Sequence, residues 1–273
     1  MLSAYKEGGG LGSSTFAPCR IYLRNWRFMS LKPWLLLPLV LAPIAEPQSI
    51  TLPTKEILSY NIEWRLISAG KARIEFNPSL QMRAPSQILF HLESIGLVSK
   101  LFKVEDDYTA LLNQSLCTQN VEMAAHEGTR RRETRITFNA DGKATYRERD
   151  LVKNAVLSQE TEVPPCVHDV LGGLYALRGL TLEPGHSAEI PVSDGKKSAM
   201  VKVEAQVREE IKTPAGVFKT IRYEVYLFNN VIYRRPAHLT LWLSDDRARL
   251  PVEIRVRLQV TIGTITLQLE KRE

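Results

Sequence analysis

The chain has 273 residues, of which 44% are hydrophobic, and 36 basic residues against 30 acidic ones give it a net charge of +6. Five of the basic residues and one acidic residue lie in residues 1–45, so residues 46–273 carry a net charge of only +2. Nucleic-acid-binding proteins rely on a strong basic excess. The near balance and the lack of a recognisable binding motif therefore exclude nucleic acid as the expected partner.

The stretch from Met29 to Ala45 is typical of a secretory signal peptide. Lys32 supplies a positive charge near its start, and the uncharged apolar run from Trp34 to Ile44 follows. That run is shorter than the roughly 20 apolar residues of a membrane-spanning helix. Pro38 and Pro43 within it, and Pro33 just before it, weaken it as a spanning helix.

The signal peptide sets the predicted domain organisation. We expect residues 1–45 to be an upstream extension plus signal peptide, with the true start at Met29, and residues 46–273 to be a single β-rich domain. The expected location is the periplasm. An uncleaved signal segment would instead anchor the protein, and it is the only membrane contact that we predict.

Residues 46–273 are dominated by alternation of apolar and polar residues, which predicts β-strands with one buried face. The alternation in Tyr60–Leu66 stops at Ser68-Ala69-Gly70 and resumes in Ala72–Phe76, so a hairpin with its turn at 68–70 is expected. Asp141-Gly142 and Asp194-Gly195 lie between further strands and carry the turn chemistry of hairpins.

The C-terminal part continues the same pattern. Thr213-Pro214-Ala215-Gly216 and Asp245-Asp246 are turn sequences, and from Val252 to Ile262 the apolar residues keep one parity. A long strand with one dry and one wet face belongs to an antiparallel sheet. The parity changes after Gly263, which indicates a tight turn or a β-bulge.

One segment, about residues 167–179, has apolar residues spaced three and four apart and is predicted to be helical. Gly172-Gly173 within it indicates close packing against another element. A single apolar helix among many strands predicts a mainly β fold, in which a curved antiparallel sheet or incomplete barrel wraps one central helix.

The order of these segments resembles the bacterial Domain of Unknown Function 3108 family over roughly residues 56–270. The resemblance rests most on DVLGGLYALR (Asp169–Arg178), TPAG (Thr213–Gly216) and WLSDDRARLP (Trp242–Pro251). It implies export and the fold, because members of the family are mostly predicted to be exported. It implies no established activity and supplies no catalytic residues.

The two cysteines of the predicted domain, Cys117 and Cys166, either form one disulfide in an oxidising compartment or remain buried thiols. Cys166, His168 and Asp169 invite a catalytic interpretation, but residues two apart do not face one another on a helix and no nucleophile elbow is present. The histidines have no metal-ligand spacing. We predict no catalytic, cofactor or metal site, and a protein that is not an enzyme is favoured.

Five residues are candidates for a ligand groove or for helix capping. Asp169 is expected to cap the helix or to pair with Arg178. The aromatic residues Trp64, Tyr175 and Trp242 either line an apolar groove or belong to the core.

The densest basic run is Arg130-Arg131-Arg132 with Arg135. A salt-bridged edge strand is the favoured interpretation, because charged side chains protect sheet edges from pairing. Contact with an anionic headgroup or a phosphate is the alternative.

Two functional hypotheses follow. The first is a periplasmic binding or carrier module for an apolar or lipid-like envelope ligand, by analogy of shape with the lipoprotein carriers of the outer membrane. The alternative is an envelope structural or interaction protein that contacts another envelope protein and has no small-molecule ligand. A hydrolase built around His168, Asp169 or Cys166 is a disfavoured third hypothesis.

Overall fold

The computed structural model describes residues 55–273 except residues 80, 82, 83 and 259–262. The predicted signal peptide at Met29–Ala45 lies outside the described residues. So does the last part of the strand predicted over Val252–Ile262.

Fourteen strands and two helices make up this part of the chain. They are β1 Glu56–Trp64, β2 Ile67–Asn77, β3 Ser86–Ser94, α1 Gly96–Leu101, β4 Val104–Leu112, β5 Thr118–Glu127, β6 Arg130–Phe138, β7 Lys143–Asp150, β8 Ala155–Glu162, α2 Val170–Arg178, β9 Ser187–Ser193, β10 Ser198–Thr213, β11 Gly216–Val225, β12 Ala237–Ser244, β13 Pro251–Leu258 and β14 Thr264–Arg272. No helix among them is long and apolar enough to cross a membrane.

All strands belong to one sheet with the order β8-β7-β6-β5-β4-β3-β2-β1-β14-β13-β12-β11-β10-β9. Each neighbouring pair is antiparallel. The first and last strands of the chain, β1 and β14, are neighbours within the sheet, where Ile62 lies opposite Leu267. The sheet is not closed, because its edges β8 and β9 do not pair. The predicted mainly β fold with a curved antiparallel sheet is therefore confirmed.

The gap between the two edges is bridged by contacts other than a strand ladder. The turn between β9 and β10 accepts hydrogen bonds at the Lys196 carbonyl from Gln159 Nε2 (2.8 Å) and Thr161 Oγ1 (3.1 Å) on β8. His168, just before α2, forms an isolated bridge with Val192 of β9. The segment that carries α2 thus connects the two edges of the curled sheet.

The core forms two clusters of buried apolar residues, and α2 contributes to both. Tyr175 belongs to the first cluster, built mainly on β1–β7, and Leu177 belongs to the second, built mainly on β9–β12. Leu174 packs against both clusters. This position explains why α2 is apolar on more than one side.

The first hairpin differs from the prediction. Its turn lies at Arg65-Leu66, whose φ angles are +49° and +67°, and 68–70 belong to β2. Gly70 is needed for space rather than for a turn, because a Cβ there would lie 2.5 Å from the Glu93 carbonyl oxygen. The break in the alternation reflects the β-bulge at Ile62/Glu63, which shifts the register.

Two further expectations are corrected. The basic run lies on β6, which is third from the sheet edge, so the prediction of an edge strand was wrong. Its salt bridges are present, since Arg132 pairs with Glu127 at 2.6 Å and Arg135 with Glu122 at 2.8 Å. The short helix α1 was not predicted, because none of its six residues is buried and it lacks an amphipathic repeat.

Candidate functional site

The strongest candidate site is an apolar cavity of about 300 Å³ between α2 and the curled sheet. Helix α2 contributes Val170, Leu171, Gly173, Leu174 and Leu177 to its wall. The sheet contributes aliphatic residues and one phenylalanine, namely Ile74, Phe90, Ile190, Val192, Val201, Val203, Val225, Leu239, Leu241, Ile254, Val256 and Leu267. The connection after β11 adds Leu227, Phe228 and Tyr233.

Asp169 fixes the N-terminus of the helix that covers this cavity. Its carboxylate accepts hydrogen bonds from the backbone N–H groups of Leu171 (2.9 Å) and Gly172 (3.2 Å), as an N-cap does. It also accepts from Tyr108 Oη at 2.7 Å and Thr118 Oγ1 at 2.6 Å. Burial of the Tyr108 hydroxyl beside this carboxylate raises the pKa of Tyr108 well above its usual value.

Close packing explains why position 172, one of the two glycine positions in α2, is a glycine. A Cβ at this position would lie 2.7 Å from Asp169 Oδ1 and 2.8 Å from Thr118 Oγ1. A side chain would therefore push the helix away from β5 and break the capping contacts. The pair of glycines predicted close packing, and at Gly172 the structure shows which atoms require it.

A disulfide lies next to this cap. Cys117, just before β5, is joined to Cys166 with a Cα–Cα distance of 4.6 Å. Hydrogen bonds flank it, because Thr118 N donates to the Val167 carbonyl at 2.9 Å and His168 Nδ1 donates to the Leu116 carbonyl at 2.9 Å. We call residues 116–118 together with 166–169 the clasp. It holds the start of α2 against β5.

The three residues that invited a catalytic interpretation, Cys166, His168 and Asp169, all belong to the clasp. Cys166 is bonded to Cys117, Asp169 binds backbone N–H groups and two hydroxyls, and His168 Nδ1 faces a carbonyl. Among the described residues, no cluster of three or more His, Cys, Asp and Glu could hold a metal ion. Every one of these groups has a structural partner.

His168 should make folding stability depend on pH. Burial lowers the pKa of His168 below its usual 6.5, because the protonated ring is disfavoured inside the clasp. The unfolded chain therefore binds this proton more readily than the folded chain. We expect stability to fall as the pH drops below about 6.5, until the folded pKa is passed.

The measurement compares urea denaturation of the parent protein and the His168→Asn variant between about pH 7 and pH 5. Asparagine can keep a donor for the Leu116 carbonyl without a titrating ring. The variant should show a flatter pH dependence. An equally steep loss in both proteins would show that other groups are responsible.

A buried ion pair anchors the other end of α2. Arg178, 6% exposed, pairs in a two-pronged arrangement with Glu56, 2% exposed, at the start of β1. Arg178 Nη2 also donates to the Ala248 carbonyl at 3.1 Å, and Tyr175 Oη donates to Glu56 at 3.2 Å. The Tyr175 ring stacks on Phe76 at 4.7 Å. This cluster joins three distant parts of the chain.

The predicted site residues are thus dispersed. Asp169, Tyr175 and Arg178 position α2, and none of them lines the cavity. Trp242 is buried on the sheet, where its Nε1 donates to Glu209 at 2.7 Å and Arg255 lies 4.7 Å above its ring. Trp64 is half-buried at the end of β1 and does not line the cavity either. The cavity residues carry no sequence signal that separates them from ordinary core positions.

A second concavity lies on the opposite face of β4–β7 and has a volume of about 620 Å³. Its wall mixes carboxylates with guanidinium groups, including Glu122, Glu133, Arg135, Arg147 and Arg149. Arg135 already pairs with Glu122 at 2.8 Å. Because opposite charges balance each other there, this groove does not select one class of ligand, and the apolar cavity remains the better candidate.

Solved structures that are similar to this chain have low sequence identity to it. A crystal structure of a β-barrel-like protein of Domain of Unknown Function DUF1849 from Brucella abortus is 9% identical, with a TM-score of 0.54, over 81% of this chain and 97% of that one. A DUF1089 family protein from Pseudomonas aeruginosa is 14% identical, with a TM-score of 0.37, over 69% and 90%. A Bacteroides fragilis protein, provisionally described as exported with a YmcC-like fold, is 8% identical, with a TM-score of 0.31, over 81% and 96%.

Of these three structures, the one from Brucella supports the fold, because the TM-scores of the other two are below 0.5. A search of curated protein sequences found no significant match. The model of a family described as a protein of unknown function, DUF3108, matches residues 59–270. That range spans nearly the whole curled sheet and α2, and it confirms the resemblance seen in the sequence. The chain therefore belongs to the DUF3108 family.

Proposed function

We propose that this protein is an exported binding or carrier protein that takes an apolar or lipid-like envelope ligand into the cavity beneath α2. The observation that carries the proposal is the nearly wholly apolar lining of that cavity. Protein interiors are close-packed and leave few voids larger than a water molecule. A cavity of about 300 Å³ lies at the lower end of the sizes found for ligand sites.

The lining indicates the chemistry of the ligand. The apolar walls from α2 and eight strands offer no charged partner, so the bound part must be hydrocarbon. Tyr233 supplies the one hydroxyl group among the residues that line the cavity. Burial and the negative charges of Asp194 and Asp169 raise the pKa of Tyr233 to about 12. A single-chain amphiphile with a neutral head group near Tyr233 fits these features.

Two features support export. The Met29–Ala45 segment has the composition of a signal peptide. The Cys117–Cys166 disulfide is typical of an oxidising compartment such as the periplasm. These features support our proposal that the protein acts in the periplasm, with the ligand drawn from the surrounding envelope.

The direct test is native mass spectrometry of the protein expressed from its full sequence and purified from a bacterial envelope fraction. A bound species with the mass of a single-chain lipid should be released by organic extraction. Added monoacylglycerol should rebind more tightly than a fatty acid of equal length, because the acidic residues near Tyr233 disfavour an anionic head group. Protein that is free of lipid and binds neither probe would refute the proposal.

Filling the cavity should abolish binding without unfolding the protein. We expect Val203→Phe to lower affinity for a fluorescent monoacylglycerol at least tenfold, because the larger ring occupies the space of the ligand. Its thermal midpoint without ligand should be unchanged or higher, since filled cavities stabilise proteins.

The matched control is Val217→Phe, the same change at an exposed position outside the cavity. It should bind the probe as the parent protein does. Equal binding by both variants would show that the cavity does not take the ligand.

The alternative of an envelope interaction protein draws on a different observation. Strand β8 is an edge strand, and seven of its eight residues are exposed, including Val156 and Leu157. An exposed apolar edge can pair with a strand of another protein. In-cell crosslinking from position 157 would test it, and recovery of abundant bystanders alone would count against it.

A further inference from the structure

The antiparallel order of the strands divides the connections between two ends of the sheet. The connections β1–β2, β3–β4, β5–β6 and β7–β8 all lie at the same end, because successive strands alternate in direction. These four connections include residues 65–66, 95–103, 128–129 and 151–154.

Large apolar side chains are exposed at this end. We call the set of Leu66, Ile67, Leu97, Leu101, Phe102 and Val152 the apolar rim, and each member is at least half exposed. Leu66 is 93% exposed and Leu101 is 75% exposed. Clusters of exposed large apolar residues mark interaction sites, whereas single exposed residues need no explanation.

The rim is continuous, because its connections contact one another. Ile95 N, at the start of α1, donates to the Ala69 carbonyl at 2.9 Å, which ties α1 to the beginning of β2. Phe102 lies against Gly128, where a Cβ would come within 2.7 Å of the ring. Leu151 N donates to the Arg131 carbonyl at 2.8 Å. The four connections therefore form one surface.

The charged residues of the four connections themselves are all basic, and acidic residues lie on the strand ends beside them. The connections and the first residues of β6 carry Arg65, Lys100, Lys103, Arg130, Arg131 and Lys153, and the strand ends beside them carry Glu93, Glu105, Glu127 and Asp150. Lys103 pairs with Glu105 on β4 at 2.8 Å. Lys100, Arg130, Arg131 and Lys153 are exposed. Apolar side chains and basic groups are thus interleaved over one end of the molecule.

The opposite end lacks this combination. Among the described residues of its connections and the strand ends beside them, Val217 is the one large apolar side chain that is strongly exposed. Acidic residues lie in its turns, such as Asp141 between β6 and β7 and Asp245-Asp246 between β12 and β13. The asymmetry argues that the apolar rim is a specialised surface.

We propose that the apolar rim docks onto the surface of a bilayer containing anionic phospholipid. Exposed leucine and phenylalanine side chains enter the acyl boundary, while the lysine and arginine side chains remain at the level of the phosphates. Each basic residue near an anionic surface strengthens attachment. A neutral or purely apolar partner would offer no complementary charge to the exposed Lys100, Arg130, Arg131 and Lys153.

The apolar rim lies at the same end of the sheet as one part of the cavity wall. The connection between β11 and β12, which brings Leu227, Phe228 and Tyr233 to the cavity wall, is at the same end of the sheet. Docking would therefore bring this connection towards the lipid. Membrane docking does not depend on cavity binding, so the Val203→Phe variant should still dock, and the two proposals can fail separately.

The test is hydrogen exchange followed by mass spectrometry on the full chain. Vesicles of phosphatidylethanolamine and phosphatidylglycerol should slow exchange in residues 65–67, 95–103 and 151–154. Residues 139–142 and 213–217, at the opposite end, should be unaffected. Phosphatidylcholine vesicles should protect the rim much less. Protection confined to residues 1–45, or to the opposite end, would overturn the proposal.

Variants separate the apolar and charged parts of the interaction. Leu97→Ser/Leu101→Ser should lower the affinity for anionic vesicles at least tenfold, because two exposed leucines lose their burial. Lys100→Gln/Arg131→Gln should weaken binding to anionic vesicles by about tenfold or more and leave binding to neutral vesicles unchanged. The matched control is Val217→Ser at the opposite end. Equal vesicle binding by all variants would refute the rim as the docking surface.

Discussion

The Arg178→Met variant should unfold at a markedly lower urea concentration than the parent protein, with a loss of about 3–5 kcal/mol in the free energy of unfolding. The reason is the environment of Glu56. This carboxylate is 2% exposed, and Arg178 is its cationic partner. Removing the guanidinium leaves Glu56 and the Ala248 carbonyl without their strongest donor inside the core.

The double variant Glu56→Gln/Arg178→Met provides the control. A glutamine can still accept the hydrogen bond from Tyr175 Oη, and no buried charge remains. We therefore expect a favourable coupling of about 0.5–3 kcal/mol, so that the double variant loses less than the sum of the two single variants. Strictly additive losses would show that the ion pair does not anchor α2.

This pair shows what sequence patterns reveal and what they leave open. Glu56 shares the parity of Leu58, Tyr60 and Ile62, all of which are buried on β1. A carboxylate on the apolar face of a strand is a signal of a buried partner, although Glu56 was not among the predicted site residues. The partner itself lies 122 residues away, and alternation within one strand gives no information on contacts at that distance.

The elements that were predicted well are those determined by local chemistry. The turns at Asp141-Gly142 and Asp194-Gly195 are present, and both glycines have φ near +80°. The helix was placed correctly within a few residues, because Asp169 caps it and its apolar spacing continues to Leu177. Glycine in the left-handed region and an aspartate before an apolar helix are both signals within a few residues of sequence.

The missed features depend on the tertiary structure. The turn at Arg65-Leu66 places two residues other than glycine at positive φ, so its sequence contains none of the residues that typically indicate a turn. The cavity is lined by apolar residues on eight strands, on α2 and on the connection after β11, and each of them looks like a core residue in its own segment. The rim becomes a surface only when four connections separated along the chain lie at one end of the sheet.

Loss of the Cys117–Cys166 disulfide should be the second large effect on stability. The bond closes a loop with a sequence separation of 49 residues, which includes all of β5–β8. Chain-entropy arguments give about 4 kcal/mol for a loop of this length. We expect the Cys117→Ala/Cys166→Ala variant, and the parent protein with reductant, to show a correspondingly lower midpoint in urea.

The backbone at position 166 provides an internal control for this measurement. Cys166 has a φ angle of +53°, a conformation that glycine adopts readily and alanine does not. In the Cys117→Ala background, Cys166→Gly should therefore be more stable than Cys166→Ala by up to about 1 kcal/mol. Both should keep the fold, because Thr118, His168 and Asp169 still join the two sides of the clasp by hydrogen bonds. A midpoint unaffected by reductant would show that these hydrogen bonds hold the clasp without help from the covalent link.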